Sequence, residues 1–281
     1  MLAVFENSIA NPPEELSLPP MGSENSMNRE EILKHFQSSC SESEATIFNF
    51  PNGNFIASSH DNRSYSHPRS FAFFENVLCF FIGDLSDSGM RSKYGLPSYA
   101  SNSLLMVEAY TVLRDREPYP VHLVLEDLKG PFAFVLCDLS SHTIFAARDS
   151  DGSVELQWGL ASDGSLVFSN DPKIIKEACG KSCGDFPPGC FFRTGCGLMS
   201  FDHPLYKVRG KAQEDGDGNI CGVVFQVDLS SRLRTIPRSG SASKLSHSIA
   251  NEVVGEEEQA QPDKDVDAEE DEAQQDKDVD A

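Results

Sequence analysis

The residues of this chain that could do chemistry fall into three groups. Cys179, Cys183, Cys190 and Cys196, with His203 beyond them, are of the types that bind zinc. Their gaps of three, six and five residues are not the tight pairs of structural zinc sites. The glycines and prolines between them read as a loop holding small buried thiols, so no metal and no cofactor is expected. An internal cysteine could serve a Cys–His hydrolase with His60, His67, His122 or His142 as base. Cys79 and Cys137, however, sit within apolar strands and read as core residues. Asp215-Gly216-Asp217-Gly218-Asn219 has the composition of half a calcium loop but lacks the downstream glutamate, and is expected to be a hairpin turn. None of the three is a complete catalytic set.

Composition narrows the classes further. Of the formal charge of −21, −12 lies in residues 251–281, where 14 acidic residues face two lysines, and −9 in the first 250. The body has no Lys/Arg stripe, so nucleic acid and anionic membrane surfaces, which require cations, are not expected partners. Apolar runs such as Val77–Ile82 are far too short to span a bilayer. The apolar start Leu2–Phe5 is cut off at Glu6-Asn7 without a basic flank, which does not read as a secretory signal. Eight scattered cysteines then suggest reduced thiols and a soluble intracellular chain, cytoplasmic with the nucleus as a second compartment.

The elements that must position such residues are mostly strands. Residues 2–6 read as a short buried strand and Asn28–Phe36 as a helix capped by Ser26 or Asn28. Thr46–Phe50 and Phe55–Ser59 form a hairpin about Pro51-Asn52-Gly53-Asn54, and Ser70–Phe74 with Val77–Ile82 another about Glu75-Asn76. Ser101–Asp115 has helical spacing, with Ser101 or Asn102 as cap; Pro118 and Pro120 end it, and a second helix covers about His122–Leu128. Strands follow at Phe132–Asp138, Thr143–Ala147, Glu155–Leu160 and Ser165–Ser169, then a helix over Asp171–Lys176. Gly189–Arg193, Gly197–Phe201 and Gly222–Asp228 finish the strands. Strands, then two helices, then strands suggest two packed sheets flanked by helices. A single domain is expected over 1–229. A Ser/Arg-rich linker follows over 230–250, where Arg238-Ser239, Ser241 and Ser243 offer phosphorylation chemistry. The tail 251–281, in which Asp-Lys-Asp-Val-Asp-Ala occurs at 263 and 276, is expected to be acidic and disordered.

The string Asp127-Leu128-Lys129-Gly130-Pro131-Phe132, then Ala147-Arg148-Asp149-Ser150-Asp151-Gly152, Trp158-Gly159 and Leu166-Val167-Phe168-Ser169 resembles the glutaminase domain of asparagine synthetase. Tyr94-Gly95-Leu96 and Leu113-Arg114-Asp115-Arg116 match the two motifs of a plant family of aluminium-induced, stem-specific-like proteins. Ala10-Asn11-Pro12-Pro13-Glu14-Glu15-Leu16, Cys190-Phe191-Phe192 and His203-Pro204-Leu205 are also similar to it. The resemblance covers Met1 to about Asp228. It implies an α+β fold, an N-terminal-nucleophile-hydrolase-like four-layer αββα sandwich, and stress- or hormone-linked expression in plants.

Class II glutamine amidotransferases place a cysteine behind the initiator Met, and here Leu2 stands there. Leucine has no lone pair for attack, and its bulk disfavours Met removal. The oxyanion Asn-Gly pair matches Ile82-Gly83, which loses the side-chain donor and retains the Gly83 amide. The aspartate for the α-amine of glutamine matches Asn102, which also reads as an N-cap. Arg69 is the nearest candidate for the α-carboxylate. These imply a vestigial pocket of Leu2, Arg69, Ile82, Gly83 and Asn102, no catalytic residue, and room for a small amino-acid-like ligand. The bland alternative makes Arg69, Gly83 and Asn102 turn and cap residues. Arg114 and Arg116 are read as cations at the negative end of a helix, and Tyr94–Leu96 as a packed turn. Sandwiches of this kind pair through exposed faces, so a homodimer is expected. A divergent amidohydrolase with another nucleophile is the alternative.

Overall fold

Side chains alternate along a strand, so a strand buried on both faces serves two cores at once. This chain uses that device repeatedly. The computed structural model describes residues 1–17, 26–39, 45–59, 67–86, 89–116 and 120–233. In chain order the first elements are β1 (Leu2–Phe5), α1 (Asn7–Ala10), α2 (Arg29–Ser39), β2 (Ala45–Asn49), β3 (Phe55–Ser59), β4 (Arg69–Phe74) and β5 (Val77–Gly83). Then come α3 (Met90–Lys93), α4 (Asn102–Asp115), α5 (Val121–Asp127), β6 (Phe132–Asp138), β7 (Thr143–Arg148), β8 (Gln157–Leu160) and β9 (Leu166–Ser169). The remainder is α6 (Pro172–Cys179), β10 (Cys183–Asp185), β11 (Cys190–Arg193), β12 (Gly197–Ser200), β13 (Tyr206–Glu214) and β14 (Ile220–Arg232). The Ser/Arg-rich and acidic segments from 234 onward lie outside the described residues.

Two antiparallel sheets result, a six-stranded one in the order β10-β8-β9-β1-β3-β2 and an eight-stranded one in the order β14-β13-β12-β11-β7-β6-β5-β4. Between them lies a core holding Ala3 and Phe5 of β1, Leu78, Phe80 and Ile82 of β5, and Val135 of β6. The alternate residues Val77, Cys79 and Phe81 face outward into a second core with Leu105, Tyr110 and Leu125 of α4 and α5. Leu2 and Val4 face the other way, into a third core with Ile32, Phe36, Ile175 and Ala178 of α2 and α6. Helices, sheet, sheet, helices are the four layers. Trp158, fully buried, centres the middle core, its ring 4.9 Å from Phe186 and 5.0 Å from Phe225. Each such buried side chain contributes roughly 1.5–3 kcal/mol.

Both expected hairpins form. Asn52 and Gly53 take positive φ (62° and 75°), as do Glu75 and Asn76 (47° and 66°). Of the two candidate caps for the first long helix, Asn28 serves: its Oδ1 accepts from Glu31 N at 3.0 Å while Glu31 Oε2 accepts from Asn28 N at 2.9 Å. For α4 the cap is Ser101, whose Oγ accepts from Leu104 N at 3.2 Å. Asn102 is therefore the first helical residue and not the cap. No described helix is long and apolar enough to cross a membrane.

Candidate functional site

The register of β4 on β5 sets Arg69 opposite Ile82. There β5 ends at Gly83, where the chain crosses the segment before β6. Gly83 has φ 128°, and a Cβ there would stand 2.1 Å from Pro131 O, so only glycine fits. Its N–H donates to Pro68 O at 2.9 Å. The Gly83 amide expected to remain as an oxyanion donor is thus already engaged. Ile82 points into the core between the sheets.

Asn102 reaches the same place from α4. Its Nδ2 donates to Gly83 O at 3.4 Å and its Oδ1 accepts from Arg91 Nη2 at 2.6 Å. Arg91 also donates through Nε to Ala100 O at 2.9 Å. It stands on α3, just ahead of Tyr94-Gly95-Leu96, and sequence reasoning did not single it out. That turn packs Tyr94 and Leu96 against the outer core, with Gly95 at φ 69°, and holds α3 in place. Arg69, Gly83 and Asn102 therefore share one rim of the eight-stranded sheet, and Arg69 Nη1 donates to Ser59 O at 3.5 Å.

Leu2 is not with them. It is fully buried among the residues of α2 and α6, on the far face of the six-stranded sheet. Met1, one residue earlier and of opposite parity, enters the core between the sheets with Ile82. The Met1 nitrogen donates to Asn170 Oδ1 at 2.6 Å, and Ser169 Oγ donates to the Met1 carbonyl at 3.0 Å.

Of the remaining cysteine candidates, Cys179 and Cys183 meet in the core beneath α2 and α6, and the other two lie elsewhere. Cys179 lies on α6, Cys183 on β10, Cys190 in the middle core and Cys196 between β11 and β12. Among the described residues no three His, Cys, Asp or Glu stand close enough to hold a metal ion. Burial pushes the thiols of Cys137 and Cys190 up to about 12 and that of Cys183 to about 11, and raises Cys79 further. These are thiols at neutral pH, not nucleophilic thiolates. His60 lies outside the described residues. Asp215–Asn219 is a hairpin turn joining β13 to β14: Asp215 Oδ1 accepts from Asp217 N at 3.0 Å and from Asn219 N at 2.9 Å.

Arg114 does more than face a helix dipole. Its Nη1 donates to Asp138 Oδ2 at 3.3 Å, where Tyr110 also donates its hydroxyl at 3.0 Å. Asp138 Oδ1 accepts from the amides of Ser140 and Ser141 at 2.8 and 3.2 Å. Burial opposes the charge of this wholly buried carboxylate, and the hydrogen bonds from Ser141, Ser140 and Tyr110 outweigh it, so its carboxyl lies below the ordinary value. Arg116 is exposed.

A mixed α+β fold with two antiparallel sheets, carrying this rim, is what the comparisons with known proteins meet. Residues 2–227 match the family described as aluminium-induced protein, and the chain belongs to that family. The stem-specific protein TSJT1 of Nicotiana tabacum is 45% identical over 151 residues, 53% of this chain and 100% of the tobacco protein. A probable glutamine-hydrolysing asparagine synthetase of Dictyostelium discoideum is 45% identical over 67 residues, 24% of this chain and 12% of that protein. Asparagine synthetase 2 of Oryza sativa subsp. japonica is 39% identical over 79 residues, covering 13% of its length. The chain thus spans only a small share of the synthetases it matches. Among solved structures, glutamine PRPP amidotransferase from B. subtilis aligns over 71% of this chain and 48% of that one, at 12% identity and a TM-score of 0.43.

Proposed function

We propose that this chain is a non-catalytic, glutamine amidotransferase-like protein of plant stress or hormone response that works as a binding and homodimerising module. The observation that carries the reading is the side chain at position 2. It is a leucine, it is fully buried, and it faces α2 and α6 instead of the rim that holds Arg69, Gly83 and Asn102. An acyl transfer needs a nucleophile and oxyanion donors around one carbon. Here the first is absent from the rim, and the Gly83 amide is bonded to Pro68 O. The rim keeps polar groups suited to a small amino-acid-like ligand, with Arg91 and Asn102 linked across it.

The test is glutamine hydrolysis by purified protein whose N-terminus has been verified by mass. No ammonia release, with Met1 retained, is the expected result. Turnover that survives Cys→Ala changes throughout the body would replace this reading with a divergent amidohydrolase using another nucleophile.

A further inference from the structure

The C-terminal end of α6 brings two cysteines together. Cys179 is the last residue of the helix, and Gly180, at φ 59°, turns the chain back so that Cys183 opens β10. The amide of Ser182 donates to Cys179 O at 3.0 Å and closes that turn. Gly159 of β8 lies opposite Cys183 in register. A Cβ on Gly159 would stand 2.7 Å from Cys183 Cβ and 2.9 Å from Cys179 Cβ. Two side chains that converge on one point are neighbours of each other, and only a glycine beneath them leaves room for both. Cys183 also turns its Sγ toward α6, donating to Gly180 O at 3.2 Å. Strand β14 meets Cys183 by its backbone instead: a Cβ on Gly222 would stand 2.9 Å from Cys183 O. A disulfide needs Cβ atoms about 3.5–4.5 Å apart, a separation within reach of two side chains packed over the same glycine.

The two thiols differ in access. Cys179 is 1% exposed, among the apolar residues of the third core. Cys183 is 5% exposed and lines a cleft of about 550 Å³, which it shares with Ile175 and Lys176 of α6 and Cys221 of β14. A small oxidant entering that cleft therefore meets Cys183 before Cys179. Burial raises both thiols, and the Lys176 ammonium opposes the rise at Cys183. Reaction through the small thiolate fraction is slow, which suits sustained oxidant exposure and not rapid turnover. Among the described residues no group of three His, Cys, Asp or Glu is placed to hold a metal ion, so the pair is not part of a metal site.

We propose that Cys179 and Cys183 are an oxidant-responsive pair that closes to a disulfide on exposure to hydrogen peroxide. The Cys183 sulfur attacks the O–O bond, becomes a sulfenic acid and releases one water. The Cys179 sulfur then attacks the Cys183 sulfur and forms the S–S bond. The sulfenic hydroxyl leaves with the Cys179 proton as a second water. Two thiols are thereby oxidised and one peroxide is reduced to two waters, and a dithiol reverses the step by exchange. The bond ties the C-terminal end of α6 to β10 and so fixes two walls of the cleft. This pair is separate from the Arg69–Asn102 rim and does not depend on whether residue 2 can act as a nucleophile.

Disulfide mapping of the full-length chain tests it. The folded protein is held in millimolar hydrogen peroxide, trapped with N-ethylmaleimide in denaturant at mildly acidic pH, and digested with trypsin without reduction. Trypsin cuts after Lys176, Lys181 and Arg193, so the two cysteines fall on separate peptides, 177–181 and 182–193. The expected result is one species joining them, two hydrogens lighter than their sum, with fragmentation placing the bond on Cys183 and not Cys190. Dithiothreitol releases it. Closure quickens about tenfold per unit of pH, because the thiolate is the attacking form. Cys183→Ser abolishes the joined species and Cys221→Ser preserves it. The mapping itself uses the wild-type chain, so a variant that fails to fold leaves the test standing. The proposal is overturned if the bond joins Cys183 to Cys221, or if Cys183 proceeds to a sulfinic acid while Cys179 is trapped as a free thiol. Both cysteines trapped as free thiols after sustained oxidation overturn it too.

Discussion

A thiol introduced by Leu2→Cys would enter the cluster that holds Ile32, Phe36 and Ile175, on the wrong side of β1 for the Gly83–Asn102 rim. The variant is expected to release no ammonia from glutamine beyond the wild type. It is also expected to be less stable by roughly 2 kcal/mol, because the smaller side chain leaves part of its site unfilled. A glutaminase assay beside a urea titration reads both. The Leu113–Arg116 motif divides in the same manner. Arg114 is the cationic partner of a wholly buried carboxylate, so Arg114→Ala is expected to cost about 3 kcal/mol. Arg116 is exposed, and Arg116→Ala should stay within about 0.5 kcal/mol of the wild type. Acid gives a second reading of the same network. The Asp138 carboxyl is held below its ordinary value, so its stabilising contribution is complete above about pH 4 and disappears as the pH falls through the folded-state value. Asp138→Asn should therefore lower stability at neutral pH and flatten its fall in acid, as measured by denaturant titrations across that range.

Among the elements, the end of β5 is the most constrained. Gly83→Ala would force a methyl to within 2.1 Å of Pro131 O at a φ of 128°, and is expected to destabilise by at least about 3 kcal/mol. Asn102→Ala, which removes only a side-chain link to Gly83 O and Arg91, should cost about 1 kcal/mol. Equilibrium unfolding of the two variants measures the contrast. Elements with a local chemical cause were legible in the sequence. Asn52-Gly53 specified its hairpin through positive φ, and Ser101 its helix start through a hydroxyl acceptor. β13 was not legible, because Tyr206–Glu214 is polar and at best half-buried; it is a strand through its pairing with β14 from Tyr206 to Glu214. β14 itself runs on to Arg232, past the point at Asp228 where its apolar pattern fades. The site was legible in residue type but not in direction. That residue 2 lacks a nucleophile could be read directly; that it faces α2 follows from β1 pairing with β3 and β9, partners 51 and more residues away in sequence. The Asp138 network and the Arg91–Asn102 bond likewise join residues that no local pattern connects.

For the molecule as a whole, the question is how the β4 side of the eight-stranded sheet behaves in solution. The edges of the eight-stranded sheet are β14 and β4. At β4, the last strand of that sheet among the described residues, Phe73 and Phe74 are 55% and 47% exposed, while Phe71 on the same strand is tied to Phe48 of β2 by a stack at 4.1 Å. An antiparallel strand edge with exposed aromatic rings is self-complementary under a two-fold axis, so β4 is the natural seam of the proposed homodimer. Charge opposes that pairing: each copy carries −21, of which −12 belongs to residues 251–281. At about 0.15 M salt the screening length is roughly 8 Å and the repulsion is largely suppressed, whereas at about 0.01 M it extends to roughly 30 Å. The expected result in light scattering is therefore a dimer of a 30.8 kDa chain at physiological salt that dissociates more readily as salt is lowered. Removing 251–281 should abolish most of that salt dependence without changing the seam. Phe73→Glu with Phe74→Glu should yield a folded monomer at every salt concentration. A wild-type chain that stays monomeric at tens of micromolar in physiological salt would sink the homodimer reading, and a dimer indifferent to the double substitution would move the seam away from β4.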